Sequence, residues 1–222
     1  MKTLVLTCSR NDTYCGGYVA GLMAAMHSPH FAGWCHLDHE SDIARGRSKL
    51  LDRVLAQTDA PAFLWIDDDI AFTADDFDTI CDCDQDIIGG LYPLRSATRR
   101  PCHGRLLDPD ALGEIVAVDA IGTGFLRMTR RALESMRPLM QVTAALPTEG
   151  PGWTHWFPAG LRDGRYLSED WAFCHLAWQA GLAVYAHRGI RLKHIGIHDY
   201  TLPLLGNGRW QADDAGNLTH VL

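Results

Sequence analysis

Three consecutive aspartates, Asp67, Asp68 and Asp69, stand directly after the apolar run Ala62-Phe63-Leu64-Trp65-Ile66. The run opens behind Pro61 and is short and aromatic-rich, which predicts a buried strand. Adjacent carboxylates repel one another unless a cation or hydrogen-bond donors sit among them. Along an extended chain, Asp67 and Asp69 face one way and Asp68 the other. That makes a D-x-D pair suited to one hard divalent ion, with Asp68 left for support or solvent. The carboxyl end of a parallel strand is also where open α/β sheets hold their ligands. The competing reading is a solvated acidic turn capping the next helix.

A D-x-D pair needs company to be a metal site. Mg²⁺ or Mn²⁺ held by one or two carboxylates takes the rest of its shell from phosphate and water, and Mn²⁺ also accepts imidazole. His194 and His198, just past a predicted strand, are the imidazoles on offer, with a plain structural role as the alternative. Ser168-Glu169-Asp170 sets two acids at a helix start. They either cap the helix and complement its dipole or supply a general base, since a helix N-terminus keeps a carboxylate ionised. Arg45 and Arg47 fall near the start of another helix, where cations oppose the dipole, so an anion such as phosphate is a plausible partner beside the solvated-edge reading. Gly122-Thr123-Gly124 lets a backbone approach a ligand closely, or marks an ordinary turn. The chain has no Walker A pattern and no G-x-G-x-x-G.

The elements that must position these residues follow from patterning. Lys2–Thr7 reads as a first strand, Gly16–Met26 as a small-residue helix, and Phe31–Leu37 as a weak strand. Ser41 or Asp42 caps a helix to about Gln57, with Ile43, Leu50, Leu51, Val54 and Leu55 at helical spacing. Thr73 caps the next helix. Strands follow at Asp86–Leu91 and Glu114–Ala120, then Phe125–Met128 leads into a helix capped by Thr129. Gln141–Arg165 has little periodicity, and a loop that long is usually functional. Ser168 opens a helix that runs to Gln179 and stops at Gly181, followed by short strands at Leu182–Tyr185 and Ile190–Leu192. The alternation predicts one α/β domain.

Composition narrows the functions. With 47% hydrophobic residues in 222, the chain can build a real core. A net charge of −7 excludes binding to nucleic acid by bulk electrostatics, although the four Arg from Arg95 to Arg105 could form a local phosphate-binding edge. No apolar stretch approaches a membrane span, and Ser9-Arg10-Asn11-Asp12 breaks any signal-like start, so no membrane partner and no signal peptide are expected. Seven scattered cysteines suit reduced thiols and a cytoplasmic protein. A zinc site from Cys81, Cys83, Cys102 and His103 is the weaker alternative, because C-x-C is not C-x-x-C.

Taken in chain order, the motifs carry a family likeness. They are a first strand ending in a polar turn; Ala44-Arg45-Gly46-Arg47; Phe63-Leu64-Trp65-Ile66-Asp67-Asp68-Asp69-Ile70; Ile88-Gly89-Gly90-Leu91-Tyr92-Pro93; Gly122-Thr123-Gly124-Phe125; Ser168-Glu169-Asp170-Trp171-Ala172-Phe173-Cys174; and His194-Ile195-Gly196. The sequence resembles the GT-A fold glycosyltransferases, close to family 2 and its small phage and bacterial relatives, over about Lys2 to Tyr200. The resemblance implies an α/β GT-A (nucleotide-diphospho-sugar transferase) fold with a Rossmann-like N-terminal half and a central mixed sheet. It implies one domain over 1–222: a nucleotide-binding half at 1–90, an acceptor and catalytic half at 91–200, and a tail at 201–222.

The same resemblance implies a nucleotide-sugar donor, most often UDP-linked, with Mn²⁺ or Mg²⁺ on its diphosphate. Asp69 would ligate the metal, Asp67 would contact the ribose or share the metal, and His194 matches the family's C-terminal metal ligand. Glu169 and Asp170 match the E-D motif, with Asp170 as base for inverting transfer of a hexosyl or pentosyl group. Thr7, Arg10 and Arg45 fall where the nucleotide is held. Gly122, Thr123 and Gly124, with Trp153 and Trp156 of the long loop, would shape the donor and acceptor sites. The acceptor hydroxyl could belong to a glycan, a protein or a hydroxylated DNA base, in the host cytoplasm for a phage-encoded member. Departures are the first strand's Thr7-Cys8-Ser9-Arg10 ending, which leaves base contacts open, and Cys174 and His175, which match no family role. The alternatives are a metal-dependent nucleotidyltransferase or phosphohydrolase, which would want two metals and more acids, and a binding module with a structural ion.

Overall fold

The computed structural model describes residues 1–95, 100–145, 152–162, 164–196, 199–201, 209–212 and 218–221, the last three stretches and Arg191 as backbone only. The first half runs β1 (Thr3–Ser9), α1 (Gly16–Ala25), β2 (Phe31–Asp38), α2 (Ile43–Gln57), β3 (Ala62–Ile66), β4 (Ile70–Ala71), α3 (Ala74–Asp82) and β5 (Ile87–Leu91). The second half runs β6 (Ile115–Val118), β7 (Phe125–Thr129), α4 (Arg130–Met136), a 3-10 turn, β8 (Gly160–Arg162), β9 (Arg165–Leu167), α5 (Glu169–Gln179) and β10 (Val184–Arg191). The last strands are β11 (Lys193–Ile195), β12 (Asp199–Thr201), β13 (Arg209–Ala212) and β14 (Leu218–Val221).

A seven-stranded mixed sheet orders them β2-β1-β3-β7-β5-β10-β6. β1 pairs in parallel with both β2 and β3, the Rossmann-like half, while β7 runs antiparallel between β3 and β5. Every residue of β1, β3, β5 and β7 is buried, which is why these strands read as continuous apolar runs rather than alternating ones. A smaller sheet, β12-β11-β4, sets His194 opposite Ile70 and so brings the C-terminal strands to the aspartates.

Caps fix the helices. The Asp42 carboxylate accepts from the Ala44 and Arg45 amides, opening α2. Thr73 and Asp76 form a reciprocal capping box on α3, and Thr129 accepts from the Ala132 amide at α4. α5 differs from expectation. Ser168 is the N-cap residue but its hydroxyl makes no cap bond to the helix backbone; it donates to Asp170 Oδ1 instead. The two short strands expected at Leu182–Tyr185 and Ile190–Leu192 form one strand, β10, with a register shift between His187 and Arg191. Gly189 between them hid the continuity.

Candidate active site

The aspartates do not extend β3. The Ile70 amide donates to the Asp67 carbonyl at 3.0 Å, so Asp67–Ile70 is a tight turn. Strand alternation therefore does not decide where the carboxylates point; their partners do. The Asp67 amide donates to the Gly124 carbonyl at 3.1 Å, and the Asp68 carbonyl accepts from the Cys15 amide at 2.8 Å. These bonds pin the turn between β7 and the start of α1.

Asp67 is tied to Arg47. Arg47 Nη2 donates to Asp67 Oδ1 at 2.6 Å, and Nη1 donates to Glu169 Oε1 at 3.1 Å. One guanidinium thus joins the turn after β3 to the first residue of α5, which lies 122 positions beyond Arg47 itself. The side chain is 4% exposed, with the Phe157 ring 5.9 Å from its centre. Burial pushes the Arg47 pKa down, but the Asp67 and Glu169 carboxylates outweigh it and hold the group charged. Arg45, which the resemblance placed at the nucleotide, forms a two-bond pair with Glu40, and this pair depresses the Glu40 pKa. The signal for Arg47 was available. Ile43, Leu50, Leu51 and Val54 form the apolar stripe of α2, and position 47 lies on that stripe. A cation there has to be buried and paired.

Asp69 has a different setting. Arg95 Nη2 donates both to Asp69 Oδ2 and to the Ile195 carbonyl, the latter at 2.6 Å. Asp69 Oδ1 is buried without a hydrogen-bond partner among the described residues, and lies 3.5 Å from His194 Nε2. His194 Nδ1 is 2.9 Å from the Pro93 carbonyl. A carbonyl only accepts, so Nδ1 carries a proton there and Nε2 is the ring nitrogen turned toward Asp69. A cation bound between the two would satisfy both the carboxylate oxygen and an unprotonated imidazole nitrogen. An imidazole fixed by a carbonyl beside a carboxylate is also how proteins prepare metal ligands. Asp69 and His194 therefore fit a divalent ion as two protein donors. Among the described residues no group of three or more His, Cys, Asp or Glu could hold one alone, so the remaining ligands would be phosphate and water. His198 lies outside the described residues.

Asp68 turns toward Ser9. Burial raises its pKa to about 6, the Ser9 hydroxyl lowers it, and Asp69 and Asp67 raise it further. Asp170 is partly exposed at the start of α5. Its Oδ1 accepts from the Ser168 hydroxyl and from the Trp171 amide at 2.8 Å, which orients the carboxylate.

The remaining residues divide. Gly122 and Gly124 wrap the Tyr92 hydroxyl: a Cβ would meet that oxygen at 2.3 and 2.7 Å, and the Gly124 amide donates to it at 2.9 Å. Thr123 is buried and its Oγ1 has no partner among the described residues. Thr7 is fully buried, its hydroxyl 2.5 Å from Tyr18 Oη and 3.3 Å from Trp34 Nε1, while Arg10 lies exposed just past β1. Trp156 was expected to help shape the donor and acceptor sites. It is fully buried, its Nε1 donates to Asp52 Oδ1 at 2.8 Å, and Arg137 stacks on its ring. An indole N–H needs a partner once buried, and Asp52 supplies it. Trp153 is half-buried under Lys49, 4.7 Å from its ring. It borders a groove of about 640 Å³ with Asp52, Arg53 and Arg137, none of which belongs to the carboxylate cluster.

Sequence reasoning missed a cluster at the ends of β1 and β2. Tyr14 donates to Asp38 at 2.7 Å, His36 Nδ1 lies 2.6 Å from the other Asp38 oxygen, and Trp34 stacks on His36. Alternation along the edge strand β2 was the available sign. Cys174, which matched no family role, ties α5 to the glycine loop through both backbone atoms of Ile121. All seven cysteines are free thiols, and burial raises the Cys81 pKa to about 11 and those of Cys102 and Cys174 to about 12, the state of inert core residues.

No family model and no curated protein matches the sequence significantly. Solved structures do match. The protein A197 from STIV aligns over 99% of this chain and 94% of its own, at 18% identity and a TM-score of 0.57. The inositol-1-phosphate CTP transferase from T. maritima aligns over 88% of this chain and 89% of its own, at 10% identity and a TM-score of 0.50. The fold is of the GT-A type. GalNAc-T7, crystallised with UDP, GalNAc and Mn²⁺, aligns over 88% of this chain and 44% of its own, at 10% identity and a TM-score of 0.49. Among the described residues no helix is long and apolar enough to cross a membrane.

Proposed function

We propose that this protein is a metal-dependent glycosyltransferase that moves a sugar from a nucleotide-sugar donor, UDP-linked by family resemblance, to a hydroxyl acceptor. The observation that carries the reading is the Arg47 bridge. It sets the D-x-D turn and the E-D helix start into one site, the arrangement that the motifs imply, with Asp69 facing His194 on the same turn. Bound Mn²⁺ or Mg²⁺ would neutralise charge on the leaving diphosphate as a Lewis acid.

The chain's own residues supply the rest. Asp69 and His194 would hold the ion. Asp67, fixed by Arg47, presents its other oxygen toward the donor beside Gly124. Asp170, oriented by Ser168 and the Trp171 amide, accepts the proton of the attacking hydroxyl, the general-base role in an inverting displacement. Thr123, buried and with no partner for its Oγ1 among the described residues, is assigned to the donor side of the site together with Gly122 and Gly124. Thr7 acts through Tyr18 and Trp34, and Arg10 lies at the strand end where the nucleotide would enter.

The test is a panel of nucleotide sugars with and without Mn²⁺, read by thermal shift and by the products of slow donor hydrolysis. The expected outcome is a metal-dependent shift with a UDP-sugar and release of UDP. Release of UMP and sugar 1-phosphate instead, which is cleavage within the diphosphate, would point to nucleotidyl transfer or phosphohydrolysis, and no shift with any donor would end the proposal.

A further inference from the structure

Arg47 and Arg95 each hold one aspartate of the D-x-D turn, but only Arg47 is built in. Arg95 is 43% exposed on its side chain, touches Asp69 and the Ile195 carbonyl, and has no second carboxylate among the described residues. Its position is informative. The Ile195 carbonyl adjoins His194, and the Ile195 amide donates to the Asp69 carbonyl at 2.8 Å. Arg95 therefore bridges the turn and the strand β11 that carry the proposed ion's protein ligands.

Charge decides what this contact does. A divalent ion entering between Asp69 and His194 meets a guanidinium already bound to Asp69, and the two cations repel. A diphosphate brings at least two negative charges and oxygens that a guanidinium fork matches. Given the glycosyl-transfer reading, on which this rests, we propose that Arg95 is a placeholder at Asp69 that transfers to the donor diphosphate. It disfavours the ion alone and favours the ion and diphosphate together. Arg95 is thus a donor-binding residue whose signature is thermodynamic coupling between metal and nucleotide.

The experiment measures that coupling on the full chain. Mn²⁺ affinity is followed by the paramagnetic signal of free Mn²⁺, with and without UDP, in the wild type, Arg95→Ala and Arg95→Lys; GDP, CDP and ADP serve as parallel probes. The expected result for Arg95→Ala is tighter binding of Mn²⁺ alone and weaker binding of UDP with Mn²⁺. The ratio of Mn²⁺ affinities with and without nucleotide should fall about tenfold or more. Arg95→Lys keeps the charge without the fork and should lie between. A merely structural Arg95 would lower both affinities and leave the ratio unchanged, and an unchanged ratio overturns the proposal. If the wild type binds neither Mn²⁺ nor any of the four nucleotides, the glycosyl-transfer reading fails and this inference with it.

Discussion

The two arginines of the aspartate turn use the same chemistry at opposite costs. Arg47 is 4% exposed and satisfies two carboxylates across the fold. Arg95 is 43% exposed and satisfies one. A buried guanidinium has no water to fall back on, so its pairs must persist and it acts as structure. An exposed one exchanges partners cheaply, because solvent replaces each bond as it breaks. The difference shows how a site can be rigid and receptive at once: Asp67 is held in place, while Asp69 is kept neutralised by a partner that can leave.

The largest effect should come from breaking the buried side. Arg47→Ala leaves Asp67 and Glu169 facing each other without their cation. Removing one partner of a buried ion pair costs about 3–5 kcal/mol, which for a chain of this size lowers Tm by roughly 10 °C. Thermal unfolding without ligand checks it. A loss of only a degree or two would mean that Arg47 is no more built-in than Arg95, and the comparison would collapse.

The chemistry should break next, on the same side but without cost to the fold. Asp170→Asn keeps the acceptor oxygen for the Ser168 hydroxyl and the Trp171 amide but cannot take a proton. Transfer should fall about 10²- to 10⁴-fold while UDP binding with Mn²⁺ is unchanged. Retained transfer would remove Asp170 as the base. On the Asp69 side, His194→Ala should weaken Mn²⁺-dependent UDP binding by more than about tenfold and leave metal-free Tm nearly unchanged, since the imidazole's one clear hydrogen bond is to the Pro93 carbonyl. Equal UDP affinity in the presence and absence of Mn²⁺ in the wild type would sink this expectation.

What the sequence disclosed and what it hid follow one physical line. Helix ends were legible because caps are local: Asp42, Thr73 and Thr129 bond amides two or three residues ahead. β3 was legible because a strand buried on both faces is a continuous apolar run. The turn at Asp67–Ile70 was not, since nothing in three aspartates states whether the strand continues. The choice of Arg47 over Arg45 rested on a single sign. Both flank Gly46, and only the stripe on α2 separates the inward cation from the one that pairs with Glu40. Trp156 was expected to help shape the donor and acceptor sites because it stands in a long aperiodic segment, yet its indole partner is Asp52, 104 residues earlier. Long-range pairing is what a one-dimensional reading lacks.

The smallest effect concerns the aspartate between the two. Asp67 and Asp69 each have an arginine, while Asp68 has none among the described residues and turns to Ser9. Its pKa is raised from 3.8 to about 6, by burial first and then by its neighbours' charges. A carboxyl with a raised folded-state pKa contributes stability that is full below about pH 4 and is lost as pH rises through about 6. Near neutral pH the ion-free protein therefore carries this charge at a cost. Asp68→Asn should raise the ion-free Tm by a few degrees at about pH 7 and by little at about pH 4. The measurement is the difference in Tm between variant and wild type across that range, without metal. A difference that does not grow between about pH 4 and 7 would show that the turn tolerates all three charges and that Asp68 has no need of an arginine of its own.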